Sequence, residues 1–404
     1  MSHADSNGIN PQWLVISLAL CLGIQAITTD LYLPALPMIT KDLHSEVSYT
    51  QLTLSMLLVF FGIGQLIAGP MSDKWGRRPI LIGSLIFYSI AALGAALAQS
   101  MFSLILWRAF QGFAMSGAVV CARALPRDLY QPEQAASVIS KGLTGLGVIA
   151  CFSPVIGGVL VSFQGWRSTL LCLSTFGLVS LIWIIYRQPE TLQVKKADAL
   201  NIDQMIKSWI EIIKNPKFQA FTLLSSGSYG ALFVFLASSS FIFTKVYGQD
   251  SFTYGLWLIS SSVSYICGTF LCRRLLKVKN INATLKISGL LSLCSGLMIA
   301  LLSVLGYEGI WYFIPFHIIF MISHGINLPC STAGAVGPFP AKAGTAAALS
   351  GFIMMFVAFI TGLVIGRFLN VSTVSVYPLT LGMGFWSLII GFTTLILLQR
   401  KNTH

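Results

Sequence analysis

Asp30 and Arg108 are the two charged residues that lie well inside long apolar segments of this sequence. The chain has 404 residues with 13 acidic and 25 basic side chains, and the other acids fall in polar stretches or at segment edges. Burial away from water favours the neutral form of a carboxyl group, whereas a nearby guanidinium favours the carboxylate. A change in water access, or in the distance between the two groups, would therefore bind or release a proton. We predict that Asp30 carries a proton and that Arg108 tunes its affinity.

A structural role is the alternative for the same two residues. A helix rises 1.5 Å per residue, so Asp30 lies about 12 Å and Arg108 about 9 Å from the same edge of the membrane if their segments run in opposite directions. At these matched depths the two side chains could form a static ion pair that holds the first and fourth segments together. The depths are compatible with either role.

The elements that must position these residues are segments long enough to cross a lipid bilayer. Hydrophobic residues make up 55% of the chain and charged residues 9%, whereas a typical soluble domain carries about 25% charged residues. A helix needs roughly 20 apolar residues to cross the hydrocarbon. Twelve such segments occur, at 13–36, 47–70, 79–98, 102–123, 134–161, 167–187, 217–243, 252–276, 284–305, 310–331, 344–367 and 374–398. The sequence therefore predicts an all-α membrane protein with twelve transmembrane helices, and Pro34 and Pro37 predict a kink at the end of the first.

The distribution of basic residues predicts how the helices are oriented. With the N-terminus inside, twenty of the 25 Lys and Arg residues lie on the cytoplasmic side, as the positive-inside rule describes. The even number of spans places both termini in the cytoplasm. The net charge of +12 is thus explained by topology, and we expect the lipid bilayer rather than nucleic acid as the partner.

The longest polar interval divides the spans into two groups of six. We predict an N-terminal half at 1–187, a cytoplasmic linker at 188–216 and a C-terminal half at 217–404, with the two halves around a central cavity. Apolar residues recur at helical spacing from Ile202 to Ile213, which predicts an amphipathic helix in the linker. That helix either lies on the membrane surface or packs against the inner ends of the spans.

The segment GPMSDKWGRRP, residues 69–79, concentrates one acid and three bases between the second and third spans. We predict a cytoplasmic turn of about eight residues, in which the glycines permit a tight backbone path and the arginines lie within reach of the aspartate. The positive-inside rule explains the arginines but not the acid or the glycines. The residues predicted to act there are Gly69, Asp73, Gly76, Arg77 and Arg78.

Several motifs resemble signatures of the major facilitator superfamily. GPMSDKWGRRP resembles the signature between its helices 2 and 3, and LILWRAFQG, which contains Arg108, resembles the helix 4 signature of its drug:proton antiporters. GLTGLGVIACFSPVIGG in the fifth span resembles the antiporter motif, with Ser153 where a glycine usually precedes the proline. TTDLYLPALP, GWR, PET and AGTAAALSGF resemble the bicyclomycin-resistance subgroup of bacterial multidrug exporters. The antiporter-motif residues retained here are Gly145, Pro154, Gly157 and Gly158.

The resemblance implies a monomeric antiporter that is driven by the proton gradient and needs no cofactor. It would export small hydrophobic compounds or drugs across the bacterial cytoplasmic membrane by alternating access. A dedicated exporter of an endogenous metabolite such as a siderophore is the alternative. The resemblance also implies that Asp73, Arg77 and Arg78 form a latch between the halves, made on one side of the transport cycle and broken on the other.

Polar residues inside the spans are candidate contacts to a substrate. His317 and His324 share roughly one helical face, since seven residues is nearly two turns, and either could bind substrate or titrate near neutrality. Alternatively, each simply hydrogen-bonds a neighbouring helix. No enzymatic activity or metal site is expected, because the spans show no nucleophile–base or metal-ligand spacing. The candidate cavity residues are Gln25, Thr28, Gln111, Ser226, Tyr229, His324 and Asn327.

Overall fold

Helices make up the fold in the computed structural model, which describes residues 10–195, 197–369 and 375–399. The predicted cytoplasmic termini and residue 374, the first of the last predicted segment, lie outside these ranges. No strand occurs within the described ranges, and twelve spans are long and apolar enough to cross a membrane. This confirms the predicted all-α membrane fold. The helices are α1 (Pro11–Asp30), α2 (Leu36–Asp42), α3 (Val47–Trp75), α4 (Arg77–Ala96), α5 (Met101–Leu129), α6 (Pro132–Gln164), α7 (Trp166–Arg187), α8 (Ile202–Ile213), α9 (Pro216–Lys245), α10 (Ser251–Val278), α11 (Ile281–Val304), α12 (Ile310–Val336), α13 (Ala343–Phe368) and α14 (Tyr377–Gln399).

The first span is broken where the sequence contains its two prolines. α1 ends at Asp30, a 3-10 turn occupies Leu33–Ala35, and α2 resumes at Leu36. Pro34 has no amide proton and its ring clashes with the preceding turn, so the ladder of helical hydrogen bonds is interrupted there. The predicted kink is present, and it begins directly after the buried acid.

The junction between α3 and α4 is shorter than the sequence indicates. α3 continues through Pro70 to Trp75 and α4 begins at Arg77, so that Gly76 alone connects the two helices. Gly76 has a φ of 114°, which side chains disfavour and glycine tolerates. The predicted eight-residue turn is therefore wrong, because the polar residues 71–75 extend the helix beyond its apolar segment.

Two helical bundles build the transmembrane part. Helices α1 to α7 pack mainly against one another, as do α9 to α14, and α3 with α13 and α6 with α10 form the main contacts between the bundles. At the α6–α10 interface the Ser262 hydroxyl donates to the Ala150 carbonyl (3.3 Å). At the α3–α13 interface, the small Gly351 faces Gln65. This arrangement places the second and fifth spans of the N-terminal half at the boundary between the bundles.

The linker helix α8 joins the bundles and packs on one of its faces. Trp209 and Ile212 cluster with apolar residues of α9 and α13, and Lys342 at the start of α13 forms an ion pair with Glu211 (2.5 Å). The face with Trp209 and Ile212 thus packs against the ends of the spans, which is one of the two placements predicted for this helix. The neighbouring apolar face is exposed and consists of Ile202, Ile206, Ile210 and Ile213.

The two ends of the bundle differ in what closes them. We call the end where α3 meets α4 the basic face, and the end where α9 meets α10 the opposite face. At the opposite face the Ser240 hydroxyl of α9 donates to the Leu33 carbonyl (2.8 Å), and Ser251 donates to the Pro34 carbonyl (3.5 Å). Pro37 has no amide proton, so it cannot donate an α-helical hydrogen bond to the Leu33 carbonyl. That carbonyl accepts from the Leu36 amide and from Ser240 of the other half. The halves are therefore joined at the opposite face.

Candidate functional site

Asp30 is the last residue of α1 and faces the boundary between the bundles. It is half-buried, and its carboxylate accepts a hydrogen bond from the Thr29 hydroxyl (3.0 Å). Its charge interacts electrostatically with the phenols of Tyr229 and Tyr254 and with the thiol of Cys151. Within the described part of the chain, no basic group lies within 4.0 Å of the carboxylate. Asp30 thus presents an unpaired carboxylate to α6, α9 and α10.

Arg108 points into the N-terminal bundle and does not meet Asp30. Its guanidinium is fully buried; Nη1 donates to Gln111 Oε1 (2.7 Å) and Nη2 to the Thr28 carbonyl (3.3 Å). The Tyr32 ring centroid lies 4.1 Å from Cζ, a cation–π geometry. The direct ion pair that the matched depths would allow is therefore not present in this structure. The depths agree, but side chains two residues apart on a helix point in nearly opposite directions, and Arg108 binds on the Thr28 side.

A buried hydrogen-bond network surrounds Arg108. The Thr28 hydroxyl is 2.6 Å from the Tyr88 hydroxyl of α4, and the Tyr32 hydroxyl is 2.9 Å from Thr53 of α3. Thr28 and Gln111, predicted as cavity residues, have no accessible surface and belong to this network instead. The network ties α1, α3, α4 and α5 together around one positive charge.

A second set of charges, the charged cluster, lies at the basic face and consists of Asp73, Arg77, Asp128 and Glu190. Arg77 Nη1 is 2.6 Å from Asp73 Oδ1 and its Nε is 3.0 Å from Asp128 Oδ2. All four residues belong to the N-terminal bundle or to the chain directly after α7. Sequence reasoning identified Asp73 and Arg77 but missed Asp128, whose only signal was an acid at the basic end of α5.

Glu190, in the PET motif after α7, caps the N-terminus of α4. Its carboxylate accepts hydrogen bonds from the backbone amides of Arg77 (2.9 Å) and Arg78 (3.1 Å) and from the two residues that follow it. Burial alone would raise the pKa of Glu190, but the four amide hydrogen bonds outweigh it and hold the pKa below its ordinary value. The positive end of the helix dipole favours the same charged form.

The two glycines of the predicted turn have different surroundings. A Cβ at Gly76 would collide with the Glu190 carboxylate, whereas one at Gly69 would meet only Val120, at 3.9 Å. Gly76 is thus required both by its backbone conformation and by the cap on α4. Gly69 has no steric requirement in this conformation.

The glycines of the antiporter motif bring α6 close to α1. A Cβ at Gly145 would collide with Ala19, and one at Gly157 would collide with the Leu31 carbonyl. Small residues at such positions let helix backbones approach closely in a membrane. α6 therefore packs against the segment of α1 that leads to Asp30.

The same motif also brings α6 against α10 of the other half. A Cβ at Gly158 would lie 2.6 Å from the Ser251 carbonyl, and one at Gly255 would lie 2.6 Å from the Pro154 carbonyl. Both distances are shorter than packing allows, so neither glycine can be replaced without moving a helix. The halves consequently meet backbone to backbone at this point.

The two histidines of α12 are fully enclosed and hydrogen-bond neighbouring helices. His317 Nε2 is 3.0 Å from the Ser261 hydroxyl, and its ring stacks on Phe235 with centroids 4.0 Å apart. His324 Nδ1 is 2.8 Å from the Ser228 hydroxyl. Ser226 and Asn327, two other candidate substrate contacts of the C-terminal half, are also buried.

A cavity of about 260 Å³ lies between α1, α5 and α6 and extends toward the basic face. Its polar lining is Gln25, Arg123 and Arg127, and the rest of its wall is aliphatic. Gln25, a predicted substrate contact, lies in this wall. The predicted contact Tyr229, on α9, lies near the Gln25 side chain. Sequence reasoning counted the two arginines only as topology signals, although their spacing of four residues places them on one face of α5.

Comparison with known proteins places this architecture among transporters. The sequence profile of the Major Facilitator Superfamily matches residues 18–363. The chain belongs to the Major Facilitator Superfamily. Within the superfamily it is 28% identical to multidrug resistance protein D of Escherichia coli (strain K12), over 84% of both chains. It is 27% identical to the bicyclomycin resistance protein homolog of Haemophilus influenzae, over 88% of this chain and 90% of that protein.

These relatives confirm the resemblance to the bicyclomycin-resistance subgroup of the superfamily. The fold is also similar to the crystal structure of a D-xylose–proton symporter, with a TM-score of 0.73, 14% identity, and coverage of 95% of this chain and 96% of that one. At that identity the likeness concerns the fold alone. The superfamily fold therefore accounts for the two bundles of transmembrane helices.

Proposed function

We propose that this protein exports small hydrophobic compounds across the bacterial cytoplasmic membrane in exchange for protons, by alternating access and as a monomer. Membership of a transporter superfamily supports the transport role. Relatives named for multidrug and bicyclomycin resistance support the class of cargo. In this proposal the basic face is the cytoplasmic face, because Lys and Arg collect there. The structure then corresponds to the conformation that is closed toward the outside.

The observation that carries the proposal is the setting of Asp30. The carboxylate is half-buried, has no cation within 4.0 Å among the described residues, and lies at the break of the first span, where the halves meet. A carboxyl group in such a place changes its protonation when water access changes. Separation of the Ser240–Leu33 contact at the opposite face would admit water from that side. Asp30 would then load a proton from one side of the membrane and release it to the other.

Arg108 would tune Asp30 through α1 rather than by contact. Its guanidinium holds the Thr28 carbonyl (3.3 Å), two residues before the acid on the same helical turn. A movement of that turn changes the surroundings of both groups. The tuning role is therefore retained in the proposal, with the backbone of α1 as its route.

The test is transport driven by an imposed pH gradient in liposomes that contain the purified protein. A panel of small-molecule drugs including bicyclomycin and chloramphenicol serves as cargo, after the compounds for which relatives are named. We expect Asp30→Asn to abolish gradient-driven transport while the protein still inserts and folds. Asp203→Asn on the exposed side of α8 is the matched control and should transport normally. Normal gradient-driven export by Asp30→Asn would rule out the carrier role.

We also propose that the charged cluster takes part in a latch between the halves. In this conformation its contacts lie within the N-terminal bundle, and the Asp73 side chain keeps 35% of its surface exposed. Closing the basic face would bring a helix end of the other half toward that exposed carboxylate.

The latch is tested by the distance between spin labels across the basic face. We expect Asp73→Asn to shift the population toward the state open at that face and to slow transport. Lys74→Gln, the neighbouring charge on α3, is the control. Unchanged populations and unchanged transport in Asp73→Asn would show that no latch exists.

A further inference from the structure

Arg123 and Arg127 place two positive charges in the wall of the cavity between α1, α5 and α6. They lie four residues apart on α5, are both exposed, and interact with each other electrostatically. Like charges at this spacing destabilise a helix. Among the carboxylates whose side chains the structure describes, which do not include Glu133, none lies within 4.0 Å of either guanidinium. Arg77, on the neighbouring helix α4, binds two carboxylates.

The remainder of the cavity is apolar apart from one amide. Aliphatic side chains of α1, α5 and α6 form its wall, and Gln25 supplies the polar group on α1. The volume of about 260 Å³ is just below the roughly 300–1,000 Å³ of pockets that hold drug-sized ligands. A ligand that fits would be small, with an apolar body and a charged or polar end.

We propose that this cavity binds a small amphipathic organic anion, whose carboxylate, sulfonate or phosphate group is held by Arg123 and Arg127. Guanidinium groups bind such anions through paired hydrogen bonds, and the aliphatic wall takes the apolar body, with Gln25 as a further polar contact. The inference rests on the proposed export function and narrows its cargo from hydrophobic compounds in general to anionic ones. A cytoplasm that is electrically negative relative to the outside favours the exit of an anion.

The binding test uses three probes of nearly the same shape and different charge: 4-phenylbutyrate, 4-phenylbutanamide and 4-phenylbutylamine. With the purified protein in a neutral detergent, we expect the carboxylate to bind at least tenfold more tightly than the amide and the amine. The double substitution Arg123→Gln with Arg127→Gln should weaken 4-phenylbutyrate at least tenfold and leave the other two unchanged. Arg274→Gln, an exposed arginine at the end of α10, is the control and should have no effect. Equal binding of the three probes, or undiminished binding by the double variant, would overturn the inference.

A conservative substitution separates loss of charge from loss of fold. Arg123→Lys with Arg127→Lys keeps both charges but not the planar donor groups, and we expect it to retain part of the affinity that the glutamine pair loses. If the lysine pair binds as weakly as the glutamine pair although its melting temperature matches the wild type, charge recognition is not the mechanism and the inference fails.

Anionic lipid headgroups offer the same chemistry as a soluble anion, so the binding is repeated in bilayer nanodiscs. We expect the affinity for 4-phenylbutyrate to agree within about twofold between pure phosphatidylcholine and a mixture with phosphatidylglycerol. If phosphatidylglycerol abolishes 4-phenylbutyrate binding to the wild type and fails to bind the double glutamine variant, the arginines form a headgroup site, and the assignment to cargo is wrong.

Transport in liposomes distinguishes failure of this inference from failure of the proposed function. We expect a pH gradient to drive movement of 4-phenylbutyrate by the wild type and not by the double glutamine variant. Gradient-driven export of neutral drugs without movement of 4-phenylbutyrate would overturn the inference and leave the proposed function intact. Arginine-dependent binding of 4-phenylbutyrate without gradient-driven transport of any compound would support the site and refute the exporter.

Discussion

Arg77 and Arg108 are both buried in the N-terminal bundle, with exposed fractions of 8% and 0%, but their surroundings are opposite. Arg77 contacts two carboxylates and a serine hydroxyl. Arg108 contacts an amide oxygen, a backbone carbonyl and the face of a tyrosine ring. Among the described residues it has no carboxylate within 4.0 Å. One positive charge is neutralised where it lies, and the other is held only by dipoles and a π system.

Arg77 stabilises the fold through its ion pairs, whereas the burial of Arg108 costs free energy of folding. An ion taken out of water without a counter-ion carries a penalty of several kcal/mol, and the Arg108 Nε and the neighbouring Gln111 Nε2 are buried without hydrogen-bond partners. Proteins tolerate such local conflicts mainly at functional sites. The contrast indicates that the charged cluster holds helix ends together in this conformation, and it supports the proposal that Arg108 takes part in transport.

We expect the largest loss of stability when Arg77, the buried arginine that is paired with carboxylates, is replaced. Arg77→Ala leaves Asp128 and Asp73 near each other without their shared cation, and breaking such a pair costs about 3–5 kcal/mol when both partners are buried. Because Asp73 is 35% exposed, we expect a loss of about 2–4 kcal/mol in the free energy of unfolding. Unfolding in mixed micelles measures it, with Arg78→Ala as the control. A loss below that of the control would mean that the cluster does not stabilise the fold.

A smaller effect is expected when the cap on α4 is removed. Glu190→Ala deprives the first turn of α4 of its acceptor, which costs about 1 kcal/mol for an ordinary helix cap. Because the pKa of Glu190 is lowered in the folded protein, its contribution is present above the ordinary value of 4.5 and is lost as the pH falls through the folded pKa. The stability difference between wild type and Glu190→Ala should therefore shrink in acid below that value. A difference that stays constant from neutral to strongly acidic pH would contradict the capping role.

We expect the smallest change in stability when Arg108, the buried arginine without a carboxylate partner among the described residues, is replaced. Arg108→Met removes an uncompensated charge, which offsets the lost hydrogen bonds and the cation–π contact of about 2 kcal/mol. We expect the free energy of unfolding to change by less than about 1 kcal/mol, while pH-driven transport falls at least tenfold. Melting curves and the liposome assay measure the two quantities on the same preparation. A destabilisation as large as that of Arg77→Ala would show that Arg108 is a structural charge as well.

The twelve spans were predictable from sequence because each is long and apolar enough to be recognised alone. Errors occurred where a helix leaves the hydrocarbon: α3 extends to Trp75, since polar residues remain helical beyond the apolar segment. The kink after Asp30 was predictable too, because the geometry of proline is local. Local chemistry was sufficient in each of these cases.

Side-chain partners were less predictable, because they depend on how helices rotate against each other. Depth along the helix suggested an Asp30–Arg108 pair, yet the orientation around α1 directs Thr28 rather than Asp30 toward the guanidinium. Asp128 and Glu190 reach Arg77 across 51 and 113 residues of chain. No spacing within a single segment contains those relationships.

The contact of α6 with α10 has a consequence for how such a molecule can change its cargo. Where Gly158 and Gly255 meet the other helix, the touching surfaces are main chain, and their shape is the same whatever side chains surround them. The two halves could rotate against each other at this contact without side chains having to change rotamer and repack. The residues proposed to bind a ligand on α1 and α5 could then diverge while this contact stays unchanged.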